Sequence, residues 1–370
     1  MRPTLPLPIK LRDALLLSIF FILIVMPAVE MRLRLLQVEN TEKRAIARFE
    51  WSSIINYHDF RDYFNYNFGF RDLLIRWNSV IKHKLFSVPA VPQVILGRNG
   101  WLYYYSEKAN DGISMNDYMG LALYTNDELS EIRRNVEEQR DWLKDRGIAY
   151  MIVVCPNKQS IYPEYLPDAI KEMHGKTRLD QAMEYLTEHS DFQMIDVRDK
   201  LLEAKLEYDV YYKTDTHWNS YGGFIAYKEI VKHLSTYFSG IAPAEISRYK
   251  IIREPNNGEG DLALMLAING YVEDENIKLE SRDPQLLPKR RVPCAIIYHD
   301  SFAVALAPHF VQSFERVVVR PHKRRLGCID PKLIEEERPD VVILELVERY
   351  MDLLLVGDAR FLDRRIHTAN

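Results

Sequence analysis

The chain contains little cysteine, and it has no large excess of charge of either sign. Three cysteines occur among 370 residues, at Cys155, Cys294 and Cys328, and none lies in a CxxC or CxxxC spacing. Three are too few for a disulfide scaffold, so we expect small, buried side chains near strand ends. The formal net charge is −4, so the chain lacks the excess of basic residues that nucleic-acid binding usually requires. We therefore expect no nucleic-acid partner.

Long apolar runs are also absent, with one exception near the N-terminus. Residues 14–29 read ALLLSIFFILIVMPAV and carry no charge. A helix of this length spans about 24 Å, short for a hydrocarbon core of about 30 Å, but Arg12 and Arg32 can reach the interfaces. A cleaved signal peptide is the alternative, although no clear small-x-small site ends the run. We interpret residues 14–31 as a transmembrane anchor.

The segments on either side of the anchor differ in length and composition. Residues 1–13 form a head too short to be the translocated part of an exported enzyme, so we place them in the cytoplasm. Residues 32–89 are rich in aromatic and basic side chains, and the apolar spacing of FRDYFNYNFGFRDLLIRW at 60–77 suits helices more than strands. We interpret residues 32–89 as a helical stalk or adapter.

Apolar runs of strand length recur through the rest of the chain. A continuous apolar run bounded by turn residues, such as AYMIVVC between Gly147 and Pro156, is typical of a strand buried on both faces. Five such runs, separated by helical patterns, lie at residues 149–155, 192–197, 294–298, 316–319 and 340–346. This alternation predicts an α/β domain over residues 90–370, with a doubly wound parallel sheet and flanking helices.

Two local signals add detail to this domain. Asn99-Gly100 lies between two apolar runs, and this dipeptide favours the positive φ angles of a type I′ hairpin turn. Thr125 and Glu128 are spaced as a capping box ahead of an amphipathic pattern, which predicts a helix over residues 127–146.

In open α/β sheets the ligand crevice lies at the carboxyl ends of the strands. The run CAIIY is followed by His299-Asp300-Ser301, and AVALAPHF after it has a helical composition. Ser301 would then lie at a helix N-terminus beside free backbone N–H groups, a setting that suits a nucleophile whose intermediate needs oxyanion donors. Taken alone, a serine at such a junction is more often only an N-cap.

A serine nucleophile needs a base, and Asp215-Thr216-His217 supplies one candidate. The His217 imidazole could take the serine proton while the Asp215 carboxylate orients the ring. The simpler interpretation is a capping aspartate with a packed histidine. A metal site is the competing chemistry, with Asp215, His217, His299 and Asp300 as ligands. No HExxH or other helical ligand spacing supports a metal, so we predict neither metal nor cofactor.

Four segments follow one another in a recognisable order: GRNGWLYYY, PNKQSIYPEYLP, DTHWNSYGGFIAY and HDSFAVAL. Together they resemble the SGNH-hydrolase-like alginate O-acetyltransferase family of AlgX and AlgJ, over about residues 90–350. The resemblance implies an SGNH-like fold and places the nucleophile on Ser301, the base on His217 and the orienting carboxylate on Asp215. One departure is His299, where the family usually has glycine.

The resemblance also implies a location, a reaction and partners. It indicates a single-pass protein of the inner membrane whose periplasmic domain moves acetyl groups onto exopolysaccharide hydroxyls through an acyl-enzyme. A multi-pass membrane acyltransferase would deliver the acetyl group from the cytoplasmic side. Candidate contacts for the polysaccharide follow two predicted strands, at Lys158, Tyr162, Arg320 and Arg325. Asn157 is a candidate second oxyanion donor beside the backbone N–H of Ser301.

Two other functions fit the same residues. In a carbohydrate esterase with this triad, water rather than a sugar would resolve the acyl-enzyme. In a non-catalytic scaffold of a polysaccharide export complex, Ser301 would have no chemical role, a possibility that His299 and the aromatic stalk motivate.

Overall fold

The computed structural model describes residues 11–36, 56–105, 114–322 and 329–356. The chain divides into two compact units. The first comprises residues 1–90 with 265–268, and the second comprises residues 91–264 with 269–370.

The described part of the first unit up to residue 90 is helical. Its helices are α1 (Leu11–Leu33), α2 (Tyr57–Asn67) and α3 (Arg71–Phe86). In α1, residues Asp13–Leu33 form a segment long and apolar enough to cross a membrane, and few of its residues are buried. The predicted anchor therefore lies within one continuous helix, and two further helices lie within the predicted stalk. Residues 37–55 of that stalk lie outside the described residues.

The described residues of the second unit form nine strands, of which five make up the central sheet. The strands are β1 (Val94–Leu96), β2 (Leu102–Tyr104), β3 (Ala149–Cys155), β4 (Ile195–Asp196), β5 (Tyr249–Asn256), β6 (Asp274–Ser281), β7 (Val292–His299), β8 (Phe314–Pro321) and β9 (Val341–Val347). The central sheet has the order β4-β3-β9-β7-β8, and every pair in it is parallel. This confirms the predicted parallel sheet.

The α-helices in the described residues from 91 onward lie around this sheet and cover both of its faces. They are α4 (Ser114–Tyr118), α5 (Asn126–Lys144), α6 (Lys158–Ile161), α7 (Asp168–Lys171), α8 (Arg178–His189), α9 (Arg198–Ala204), α10 (Ser220–Tyr237), α11 (Asp261–Met265), α12 (Ala303–Phe310) and α13 (Pro331–Glu337). Met151 and Val153 of β3 share a core with α9, α10 and α12, whereas Ile152 and Val154 share the opposite core with α5, α8 and α13. Strand β3 is therefore buried on both faces, as its continuous apolar run predicts.

The two local predictions are confirmed. Strands β1 and β2 pair as an antiparallel hairpin, and the φ angles of Asn99 and Gly100 between them are 54° and 81°. The capping box of Thr125 and Glu128 is present at the start of α5. Cys155 and Cys294 are buried, free thiols in strands, whereas Cys328 lies outside the described residues.

Two strand predictions need correction, and one pair of strands was not predicted. The run at 316–319 lies in the edge strand β8, whose side chains are mostly exposed rather than buried on both faces. The run at 192–197 contains only the two-residue strand β4, which pairs with β3 at the edge of the sheet. Phe192 owes its burial to packing, with its ring 5.6 Å from that of Tyr150. The antiparallel pair β5 and β6 was not predicted, because about two-thirds of its side chains are polar or exposed and no continuous apolar run marks it.

Candidate active site

Ser301 lies in the turn between β7 and α12, at the carboxyl end of the sheet. The Asp300 carboxylate holds this turn, because Oδ1 accepts the Phe302 N–H at 2.8 Å and Oδ2 accepts the Val347 N–H at 2.7 Å. Phe302, not Ser301, is the N-cap residue of α12, and no side chain caps this helix. The hydroxyl of Ser301 is therefore exposed and is not used to cap the helix.

The loop before α10 places an imidazole beside this hydroxyl. Ser301 Oγ lies 2.7 Å from His217 Nε2, and Asp215 Oδ1 lies 2.6 Å from His217 Nδ1. A carboxylate can only accept, so Nδ1 carries the hydrogen and Nε2 is left to accept the serine proton. Burial alone would raise the pKa of Asp215, but the hydrogen bond and charge of His217 lower it to about 2. Asp215 is therefore ionised at neutral pH.

Asp261, at the start of α11, is a second carboxylate beside this loop that the sequence did not indicate. Its oxygens accept the Thr216 backbone N–H at 2.7 Å and the Thr216 hydroxyl at 2.6 Å, and its own N–H donates to Asp215 Oδ2 at 3.0 Å. Its Oδ2 atom lies 3.8 Å from His217 Nδ1. Burial and the charge of Asp215 raise the pKa of Asp261.

Close packing brings Asp261 to the loop. A Cβ atom on Gly260 would lie 2.3 Å from the carbonyl oxygen of Thr214, so only glycine allows this approach. A Gly-Asp dipeptide is common, and nothing at residues 260–261 distinguishes it from an ordinary helix start. The sequence therefore carried no usable signal for this contact.

Comparison with known proteins decides the family. Residues 94–290, more than half of the chain, match the family model described as the SGNH hydrolase-like domain of the acetyltransferase AlgX. The chain belongs to the AlgX family. Membership confirms the resemblance, the SGNH-like α/β fold and the predicted enzyme class, an O-acyltransferase. The matched segment contains Asp215, His217 and Asp261 and ends before Ser301.

Individual AlgJ and AlgX proteins are similar to this chain at low sequence identity. A probable alginate O-acetylase AlgJ from Pseudomonas fluorescens is 26% identical over 309 residues, which cover 76% of this chain and 74% of that protein. Among solved structures, the O-acetyltransferase domain of Pseudomonas putida AlgJ is 21% identical with a TM-score of 0.45, covering 70% of this chain and 92% of that one. Pseudomonas aeruginosa AlgX is 16% identical with a TM-score of 0.46, covering 70% and 65%.

Lys158 is buried beneath the loop, which corrects its prediction as a polysaccharide contact. Its Nζ atom donates to the carbonyl oxygens of Tyr212, Lys213 and Asp215 at 3.1, 2.9 and 2.6 Å. Burial lowers the pKa of Lys158 to about 7, against the raising effect of nearby aspartates. All three donors of the ammonium are used, so Lys158 supports the loop from inside the AlgX-family domain.

Tyr162 is also internal, and its predicted contact with polysaccharide is wrong. Its hydroxyl accepts the Val210 N–H at 2.8 Å and lies 3.3 Å from Asp209 Oδ1, and its ring stacks on Trp101 at 4.1 Å. The prediction that Lys158 and Tyr162 follow β3 was correct. The sequence did not show, however, that both side chains face the interior.

Asn157 follows β3 directly and is buried. Its backbone N–H donates to Glu348 Oε2 at 2.7 Å, and its Oδ1 atom accepts from Arg349 at 3.2 Å. The backbone N–H is therefore used, and the side-chain amide is the part of Asn157 left for an oxyanion. Its predicted role stays a prediction.

Of the two candidate arginines, only Arg320 is described. It is exposed near the end of β8, with one guanidinium nitrogen 2.9 Å from the carbonyl oxygen of Val319. Its side chain is therefore accessible to a ligand, and its predicted contact stays a prediction. Arg325 lies outside the described residues.

The metal alternative finds little support in the positions of its ligands. Both carboxylate oxygens of Asp300 accept backbone N–H groups, and His299 Nδ1 lies 2.7 Å from the carbonyl oxygen of Asp300. Asp215, His217 and Asp261 do have potential ligand atoms within 4.8 Å of one another. Both ring nitrogens of His217 already have protein partners, however, as expected for a proton relay rather than a ligand set.

A buried carboxyl group that was not singled out from the sequence forms a hydrogen bond with the turn that contains Ser301. Glu345 in β9 accepts the Cys155 thiol at 2.9 Å and the Asp300 N–H at 3.0 Å. Burial, together with the charge of Asp300, raises the pKa of Glu345 well above its ordinary value. A single glutamate inside the apolar run DVVILELV was a signal that could have identified it.

Proposed function

We propose that this AlgX-family protein transfers acetyl groups to hydroxyl groups of an exopolysaccharide through an acetyl-serine intermediate on Ser301. One observation carries the proposal: the hydrogen-bonded line from Asp215 through His217 to an exposed Ser301 that caps no helix. Relatives of the chain are named alginate O-acetylases, so alginate is the first acceptor to test.

In the first half-reaction, Ser301 Oγ attacks the acetyl carbonyl carbon while His217 Nε2 takes the hydroxyl proton. Asp215 holds the ring and stabilises the imidazolium. When the tetrahedral intermediate collapses, the bond from the acetyl carbon to the donor breaks, and His217 returns the proton to the leaving group. In the second half-reaction, His217 takes the proton of the acceptor hydroxyl as that oxygen attacks the acetyl carbon. Ser301 then leaves and recovers its proton from His217.

The oxyanion needs donors, and the turn limits which groups are available. The Phe302 N–H donates to Asp300, so it is not free for the oxyanion. We assign the Ser301 N–H as one donor and the side-chain amide of Asn157 as the second. Exposure of Ser301 suits a polymer acceptor, because a long chain reaches an open site more easily than an enclosed pocket.

The proposed organisation extends the site to the membrane. Residues 1–13 would form a cytoplasmic head, 14–31 the anchor in the inner membrane, 32–89 the stalk and 90–370 the periplasmic catalytic domain. The acetyl group would come from a multi-pass membrane acyltransferase. Helix α1 supports this organisation because it is long and apolar enough to span a bilayer.

Intact mass spectrometry of the full chain tests the reaction. The protein is exposed to an activated acetyl ester, and then to alginate oligosaccharide or to buffer alone. Wild type is compared with Ser301→Ala and with Ser235→Ala, a matched loss of an exposed serine on α10. We expect an acetyl adduct on wild type and S235A but not on S301A, discharged faster by oligosaccharide than by water.

The other results identify the alternatives. An adduct on all three proteins would mean that Ser301 is not the nucleophile. An adduct that water removes without any acetylated oligosaccharide would favour an esterase. No adduct on wild type, with native folding shown by circular dichroism, would favour a scaffold.

A further inference from the structure

Helix α3 directs an apolar stripe away from the unit in which it packs. Leu74, Trp77, Ile81 and Leu85 recur every three or four residues and therefore share one face. These four side chains, which we call the α3 stripe, have between 44% and 74% of their surface exposed. A helix on a water-facing surface normally presents its polar side outward.

The opposite side of α3 is no more apolar than this stripe. Ser79 is buried there with Val80, and Arg76 and His83 are partly buried. Burial, with a smaller effect of Lys84, lowers the pKa of His83. Polar groups thus face inward beside Val80 while four large apolar side chains face outward, which is the distribution of a helix whose outer side meets an apolar phase.

Helix α2 repeats this pattern with aromatic rings. Tyr57, Phe60 and Phe64 lie on one face at spacings of three and four residues, and all three are exposed. The rings of Phe60 and Phe64 are 6.4 Å apart, and those of Phe64 and Phe68 are 5.5 Å apart. We call Tyr57, Phe60 and Phe64 the α2 stripe. Two neighbouring exposed stripes of this size mark an interaction surface rather than scattered surface residues.

Contacts within the same unit fix where these stripes lie. Gly69, between α2 and α3, is so close to α1 that an added Cβ would lie 2.2 Å from the carbonyl oxygen of Pro27. Arg34, just after α1, donates to Asn67 Oδ1 at 2.9 Å. Pro27 is six residues, or about 9 Å, from the end of α1. If α1 spans the bilayer, this end lies at the membrane boundary, where aromatic side chains concentrate.

We propose that α2 and α3 lie in the membrane interface, with the α2 and α3 stripes in contact with lipid. The proposal rests on the anchor proposed above. Basic side chains favour an anionic lipid surface, and residues 56–90 contain five of them (Arg61, Arg71, Arg76, Lys82 and Lys84) against three acidic ones. The bilayer is thus the occupant that location and charge both favour over a protein partner.

Trp77 is a native probe of this contact. The full chain is placed in lipid nanodiscs containing phosphatidylglycerol, with Trp51→Phe in every sample. Trp101, Trp142 and Trp218 are buried and give the background, which Trp77→Phe measures. Tryptophan emission is then recorded with lipids brominated near the headgroup or near the chain end, and separately with acrylamide in the water.

We expect headgroup-proximal bromine to decrease the emission of Trp77 more than chain-end bromine does, and acrylamide to have little effect. The variant I81N/L85N should lose part of the lipid quenching, whereas N78Q on the same exposed face should not. Both apolar side chains are exposed, so their replacement creates no cavity in the core.

Two results would overturn the proposal. Quenching of Trp77 by acrylamide but not by lipid would place the stripes in water, free for a protein partner. Protection from both quenchers would mean that another part of the chain covers them. Acetylation of Ser301 is measured in the same nanodiscs, so a failure of the lipid contact and a failure of the proposed reaction are told apart. Failure of the chain to enter nanodiscs would refute the anchor itself.

Discussion

Replacing Asp261 by Asn removes one negative charge beside the proposed base while keeping an amide oxygen for Thr216. Asp261 Oδ2 lies 3.8 Å from His217 Nδ1. Two unit charges at this distance attract by about 4 kcal/mol at an effective dielectric of about 20, and by about 1 kcal/mol in bulk water. The side chains of His217 and Asp261 are 25% and 40% exposed, so screening brings the value toward the lower limit, about 1–2 kcal/mol.

In the proposed reaction, this charge would stabilise the imidazolium that forms when Ser301 attacks. Its loss should slow acetyl transfer about 5- to 30-fold, with most of the effect on kcat because Asp261 contacts the loop rather than an acceptor. The assay measures kcat and KM for acetyl transfer from an activated acetyl ester, with kcat expected to fall and KM to stay nearly constant in D261N.

Glu259→Gln is the matched control, since it removes an exposed carboxylate two residues away. Urea unfolding of both variants shows whether the loop remains folded. If D261N has the kcat of wild type, or the same kcat as E259Q, the charge of Asp261 does not act on His217 and the electrostatic reasoning is refuted.

Four further changes test the surroundings of the site. Asp215→Asn should decrease kcat by about 10⁴-fold, because the ring loses its orienting acceptor; retention of more than a tenth of the activity would contradict this. Lys158→Met should decrease kcat by about 100-fold with little change in KM, since three loop carbonyls lose their donor, and a change in KM alone would refute the role. Glu345→Gln should gain stability relative to wild type as the pH rises above the ordinary pKa of glutamate, about 4.3, measured by urea unfolding. The raised pKa of Glu345 keeps the folded state protonated where the unfolded chain ionises, so wild type loses stability as pH rises; parallel curves would contradict this. His299→Gly should preserve thermal unfolding and keep or increase acetyl transfer if the imidazole is only tolerated, and a large loss would give it a role.

The parts of the fold that could be predicted are those in which local sequence and burial agree. Strand β3 begins and ends where its apolar run does, because helices cover both of its faces. The Asn99-Gly100 turn needs positive φ angles at both residues, which few dipeptides adopt. Strands β5 and β6 escaped prediction because their partly exposed, mixed polar sequence differs little from a loop.

The candidate site likewise has residues whose positions could be predicted and residues whose positions could not. The positions of Asp215, His217 and Ser301 follow from a two-residue spacing and a strand end, whereas Asp261 reaches the loop from 46 residues beyond Asp215 through backbone packing at Gly260. For Lys158, the position in the chain was predicted correctly but the burial of its side chain was not. A lysine after a strand normally extends into water, and only the three converging carbonyls explain why this one is buried.

The exposed position of Ser301 has a consequence for the pattern of modification along a polymer. An enzyme whose nucleophile lies deep in a blind pocket must accept chain ends or small molecules, whereas a hydroxyl on an open surface can meet a sugar anywhere along a strand. We expect acetyl groups on internal sugar residues of the polymer. Their spacing should depend on where the polymer binds the domain and not on the distance from the end of the polymer. Long and short oligosaccharides should then be acetylated at similar rates per sugar unit.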